Sequence, residues 1–145
     1  MALPLLKTTV TDARYVSMTG FSIERPFELQ EQQQDDLTIL FVGGPMEKIE
    51  LGVLETALKR LVREGRHRVI VDLSEVTTLG TVVVAGFVIC TESFRSSGGE
   101  MTVTGTSRSL RDAFRMLDSH GKINQQPDVV AAIKVMSQRS AERER

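Results

Sequence analysis

Hydroxyl side chains crowd one short segment, where Ser74, Thr77, Thr78 and Thr81 follow one another closely between Asp72 and Gly86. A loop hydroxyl ordinarily bonds backbone or water. Asp72 and Glu75 add carboxylates, but a carboxylate pair alone does not complete an acid–base or nucleophile set. His67 and His120 are isolated, each beside a basic residue or a turn. The single cysteine, Cys90, cannot form an internal disulfide, and no second cysteine completes a metal motif. Gly43-Gly44 and Gly98-Gly99 lack the spacing and the lysine or acidic follower of phosphate-binding loops. These residues point away from an enzyme, a cofactor or a metal. They point to a surface that offers small and hydroxyl groups to another molecule.

The elements that must position those groups belong to one domain. At 145 residues the chain is long enough for a core without staples. Hydrophobic residues make up 41% and charged residues 26%, as in an ordinary globular protein. The net charge of −1 creates no overall field for nucleic acid. No apolar run approaches the ~18 residues of a membrane-spanning helix. The N-terminus lacks the pattern of a signal peptide, and the lone cysteine allows a reducing, cytoplasmic setting. Residues 1–25 read as a leader, disordered or docked, with a short strand conceivable over Thr8–Thr11. The domain spans 26–137, and 138–145 is a charged tail expected to fray from Ser137 onward.

Pro26–Gln34 alternates weakly, with Phe27 and Leu29 on one side. Leu37–Val42 is a better strand by its β-branched content, and the two predict an antiparallel hairpin with a turn over Gln33–Asp36. Gly43-Gly44-Pro45 is expected to end the second strand. Met46–Glu64 predicts a helix whose buried stripe is Ile49, Val53, Leu54, Ala57, Leu58 and Leu61, with Gly65 as its stop. Arg68–Leu73 is the continuous apolar strand of a parallel sheet covered on both faces, followed by a polar loop over Ser74–Thr78.

Thr81–Ser96 is the ambiguous segment. Thr81-Val82-Val83-Val84 is β-branched, and a strand competes with a helix there. Length and the lack of alternation favour a helix. Its broad face is Val83, Val84, Phe87, Val88, Cys90, Thr91 and Phe94. The opposite stripe is Val82, Gly86, Ile89 and Ser93, two of them large and apolar. Glu100–Thr104 predicts a strand with Met101 and Val103 together. Ser107 caps a helix over Arg108–Leu117 with Leu110, Phe114 and Leu117 inward, and Asp118–Gly121 stops it. Ile123–Gln125 is a short edge strand. Pro127 opens a last helix that buries Val129, Val130, Ile133 and Met136. The fold class is α/β, a mixed and mostly parallel sheet of four or five strands with about four helices.

This order, together with the stretch 68–99, resembles the STAS domain of sulphate transporters and anti-sigma factor antagonists. Val71-Asp72-Leu73-Ser74 and Val76-Thr77 match the family's strand and loop. Gly98-Gly99-Glu100-Met101-Thr102-Val103 matches the next turn and strand, and the helix with Leu110, Phe114 and Leu117 matches too. On that signature Gly80 stands where the family has an aspartate, Thr81 where it has a phosphorylated serine, and Val83 where it has a glycine.

The resemblance implies a bacterial, cytoplasmic, non-enzymatic regulator of transcription that docks a protein partner. In anti-sigma factor antagonists that partner is a Ser/Thr kinase-type anti-sigma factor. The unmodified antagonist captures the kinase and frees the sigma factor; the phosphorylated one lets go. Thr81 is then the phosphorylation candidate. The partner-binding residues are Gly44, Pro45, Met46, Thr77, Thr78, Gly80, Thr81, Val82, Gly86 and Ile89. No nucleic acid and no direct membrane insertion are implied, and homo-oligomers stay open. The alternative is a constitutive scaffold or accessory subunit of a stress-signalling or transporter complex, using the same surface without phosphorylation.

Overall fold

The computed structural model describes residues 7–10, 26–118 and 123–143. Six strands form one sheet in sequential order: β1 (Lys7–Val10), β2 (Glu28–Gln34), β3 (Leu37–Met46), β4 (Arg68–Leu79), β5 (Glu100–Thr104) and β6 (Asn124–Gln126). Pairs β1–β2 and β2–β3 are antiparallel; β3–β4, β4–β5 and β5–β6 are parallel. The mixed α/β sheet with four helices matches the fold read from the sequence. The additional strand, β1, comes from the segment read as a leader; the rest of that segment lies outside the described residues, as do His120 and most of the stop at 119–121.

The hairpin turns at Asp35-Asp36, with Asp35 at φ 54°. The helices α1 (Lys48–Arg63), α2 (Thr81–Ser96) and α3 (Arg108–Leu117) cover one face. Each is the crossover of a parallel β-α-β unit, and crossovers of one hand that step in one direction stay on one face. The last helix, α4 (Val129–Arg143), covers the other face through Ala132 and Met136 against Leu37, Ile39 and Ile70. So β4 is buried on both sides, as its unbroken apolar run requires. Phe87 of α2 and Phe114 of α3 meet with ring centroids 5.4 Å apart and join the two helices.

The segment 81–96 is helical despite its β-branched start, and its buried residues are Val83, Val84, Phe87, Val88, Cys90, Thr91 and Phe94. Burying that apolar face outweighs a propensity deficit of a few tenths of a kcal/mol per residue.

Several expectations need correction. Ser74–Thr78 is not a loop, and Gly43-Gly44-Pro45 does not end β3: both strands run on, to Leu79 and Met46, as a two-stranded ribbon. The register jumps between Phe41 and Gly43 and again between Gly44 and Pro45, so β4 carries an extra residue at each step. Bulges of this kind shift the inward phase. Val69, Val71 and Leu73 step by two, then Val76 and Leu79 step by three on the same core. That spacing hides the strand from an alternation test. Pro45 is tolerated because the β2 pairing stops at Gly43, leaving β4 as its neighbour there.

Ile49 is exposed, whereas Glu50 is buried. The reason is local: Glu47 and Glu50 form the capping box of α1, and the Glu47 N–H donates to Glu50 Oε1 at 2.8 Å. In α3, Phe114 is buried and Leu117 is exposed. In α4, Val130 is exposed and Ala132 takes its place, since Asp128 Oδ1 accepts the Ala131 N–H and starts the helix after Pro127. The charged C-terminal segment continues α4 to Arg143 and does not fray at Ser137; Arg139 pairs with Glu100 at 3.0 Å.

Candidate functional site

The carboxyl ends of parallel strands are where open α/β sheets leave a crevice. Here Met46 of β3 pairs in register with Leu79 of β4. The next residues, Glu47 and Gly80, are the N-caps of α1 and α2. Two helix N-termini therefore emerge side by side at one end of the sheet.

Thr81 is the first residue of α2 and is exposed. Val82 beside it is 75% exposed and Ile49, in the first turn of α1, is 60% exposed. Among the described residues none partners the hydroxyls of Thr77, Thr78 or Thr81. All three line a groove of about 590 Å3 between the ribbon end of β4, the start of α2, and α3. Its far wall includes Ser109, Leu110 and Leu117. Small hydroxyls interspersed with apolar groups, and no charged side chain among the described lining residues, suit a protein surface better than a charged ligand.

A second groove, of about 490 Å3, runs between α1 and α2. Leu51, Leu58, Gly86 and Ile89 line it, and Ile89 is 66% exposed. Gly86 is half-buried because Leu51 leans across it: a Cβ there would stand 2.5 Å from Leu51 Cδ2.

The residues expected at the surface thus divide. Thr77, Thr78, Thr81, Val82 and Ile89 are exposed; Pro45, Gly80 and Gly86 are half-buried. Met46 is fully buried in the core, and Gly44 is covered by the chain at Pro26-Phe27, so neither can form a contact surface. Gly44 has φ +83°, and a Cβ on it would stand 2.4 Å from the Pro26 carbonyl oxygen. Sequence reasoning missed Ile49, Glu47 and the α3 wall. The Glu-x-x-Glu spacing at 47–50 is a capping-box signal that could have turned Glu50 inward and Ile49 out.

Below this end, Asp72 is buried and accepts Ser74 Oγ at 2.6 Å and Thr104 Oγ1 at 2.8 Å. That makes it a structural tie between β4 and β5. Cys90 is buried, and desolvation pushes its thiol up to about 11. No group of histidine, cysteine and carboxylate residues that could hold a metal occurs among the described residues. No helix among them is long and apolar enough to cross a membrane.

The fold has close structural counterparts. An anti-sigma factor antagonist from Mycobacterium paratuberculosis superposes with TM-score 0.64 and 18% identity, covering 75% of this chain and 92% of that one. A variant of Moorella thermoacetica RsbS gives TM-score 0.63 at 10% identity, covering 83% and 99%. The Bacillus cell fate determinant SpoIIAA in its phosphorylated form gives 0.58 at 12%, covering 75% and 98%. At these identities the likeness is one of fold. No curated protein is significantly similar to the chain in sequence. The family model of the STAS domain matches residues 28–132, which is most of the molecule. The chain belongs to the STAS domain family.

Proposed function

We propose that the protein is a cytoplasmic, non-enzymatic regulator of the anti-sigma factor antagonist type. It docks a kinase-type anti-sigma factor through the first turns of α1 and α2 and the ribbon end of β4. The observation that carries this reading is Thr81: an exposed hydroxyl on the first turn of a helix, unpartnered among the described residues, with exposed Val82 next to it and exposed Ile49 in the first turn of the adjoining α1. Isolated apolar side chains on a surface are ordinary, but two beside an accessible hydroxyl make a small contact patch that one modification can spoil.

The modification is transfer of the γ-phosphoryl group of ATP to Thr81 Oγ1. The hydroxyl proton passes to a base on the kinase and ADP leaves. The product adds about two negative charges beside Val82, which opposes an apolar contact by desolvation and repulsion. The Bacillus neighbour named above occurs in a phosphorylated form, which supports the same chemistry here.

A second reading is a constitutive scaffold using the same surface. It draws on the first turn of α2, which holds no acidic residue, and on Val83, which is packed in the core. A panel of purified kinase-type anti-sigma factors separates the two. Under the first reading one member binds the chain, releases it on addition of ATP, and leaves phosphate on Thr81 that Thr81→Ala abolishes. Binding that persists with ATP and leaves Thr81 unmodified selects the scaffold. No binding by any member overturns the first reading.

A further inference from the structure

The junction of Glu47 and Gly80 carries a consequence for regulation. Gly80 caps α2 without a side chain, and α2 has no acidic residue in its first turn. Its leading N–H groups are the unpaired donors of any helix start. Among the described residues other than its chain neighbours, a Cβ on Gly80 would meet one heavy atom within 4 Å: Oε2 of Glu47, at 3.8 Å. The carboxylate beside this helix start therefore comes from the neighbouring helix. The β3–β4 register places it, because Met46 pairs with Leu79 and the two caps come next. Glu50, the other carboxylate of that turn, is buried and accepts the Glu47 N–H, so it is held inside.

We infer that Glu47 is the positioning residue of the Thr81 switch. Unmodified, its carboxylate sits beside the start of α2, where negative charge is favourable. A phosphoryl group on Thr81 places a dianion in the same field. The dianion repels the Glu47 carboxylate, which belongs to the capping box of α1. The modification is then felt at the start of α1 as well as at α2, and so at both Ile49 and Val82. This inference rests on the docking reading above, but its test does not need the partner.

The test is a double-mutant cycle on the full chain: wild type, Thr81→Asp, Glu47→Gln, and the pair, unfolded by denaturant at low and at high salt. Asp at 81 is expected to be better tolerated with Glu47→Gln than with Glu47. The gap should be about two- to five-fold in the unfolding equilibrium constant at low salt, the range of a charge at a helix start. It should shrink at high salt, since the groups are exposed and screened. Glu47→Asp, one methylene shorter, should restore part of the coupling, which a purely structural role would not do. Glu47 is exposed, so its variants should fold. Amide shifts of Val82 and Val83 on Glu47→Gln give a readout independent of stability. Additive effects at both salt levels, with unmoved shifts, overturn the inference. Coupling without any change in partner binding by Thr81→Asp retains it and overturns the docking reading. Release of the partner without coupling does the reverse.

Discussion

Thr104 Oγ1 donates to Asp72 Oδ1 at 2.8 Å, and both residues are buried where β4 leaves β5 behind. Ser74 Oγ donates to the other carboxylate oxygen, but Ser74 is exposed. A buried bond to a charged group is worth more than one that water can replace. Thr104→Val should therefore destabilise by about 1.5–3 kcal/mol, because it leaves a buried carboxylate oxygen short of a donor. Ser74→Ala should cost roughly a third of that or less. Urea unfolding of the two variants checks the order, and an equal or reversed order would refute it.

Among the described residues four glycines have positive φ, and they separate steric need from conformational need. Gly44→Ala would drive a Cβ into backbone, 2.4 Å from the Pro26 oxygen and 2.9 Å from Phe27 Cα. Gly105→Ala would meet Ser74 N at 2.7 Å and Asp72 Oδ1 at 2.8 Å. Gly65 and Gly98 have open space. Alanine at 65 or 98 should cost only the left-handed penalty, about 1–2 kcal/mol. Alanine at 44 or 105 should add overpacking of about 1–3 kcal/mol. Melting temperatures of all four variants are the measurement.

Ile49→Asp and Val82→Asp should leave stability within about 0.5 kcal/mol of wild type, as exposed substitutions do. The same changes should weaken capture of a kinase-type anti-sigma factor by tenfold or more, about 1.4 kcal/mol. Ile89→Asp, on the α1–α2 groove, distinguishes a patch confined to the helix starts from one running the length of α2. Binding titrations on folded variants decide between them.

Cys90 should resist alkylation at neutral pH, since a buried thiol whose ionisation is pushed up to about 11 offers almost no thiolate. The linkage has a definite sign. Folding holds the proton more tightly than the unfolded chain, whose thiol titrates near about 8.5. The contribution of Cys90 to stability is full below that value and is lost as pH rises toward about 11. Cys90→Ser, unable to titrate in that range, should lose less stability than wild type between the two values. Unfolding curves across alkaline pH test it.

Much of this molecule was legible from local pattern. The hairpin, the element order, the cap at Ser107 and the buried face of α2 all follow from periods of two or 3.6 that a short window contains. The misses have physical causes of their own. Leu73, Val76 and Leu79 share one core face at steps of three because bulges reset the phase, so a strand looked like a loop. Ile49 satisfied the helical period, yet a capping box at the first turn buried Glu50 in its stead. Val130 and Leu117 fall in the first turn of α4 and at the last residue of α3, and both are exposed.

By itself the sequence determined the four helices, the cores of the central strands and which hydroxyl opens α2, because those depend on neighbours along the chain. Only the tertiary structure decided that Glu47 stands beside Gly80 and that Ile49 joins Val82 at one end of the sheet. That proximity comes from the register of β3 against β4. A parallel crossover has no tight turn to fix that register, and two bulges shift it, so the pattern within either strand does not encode it.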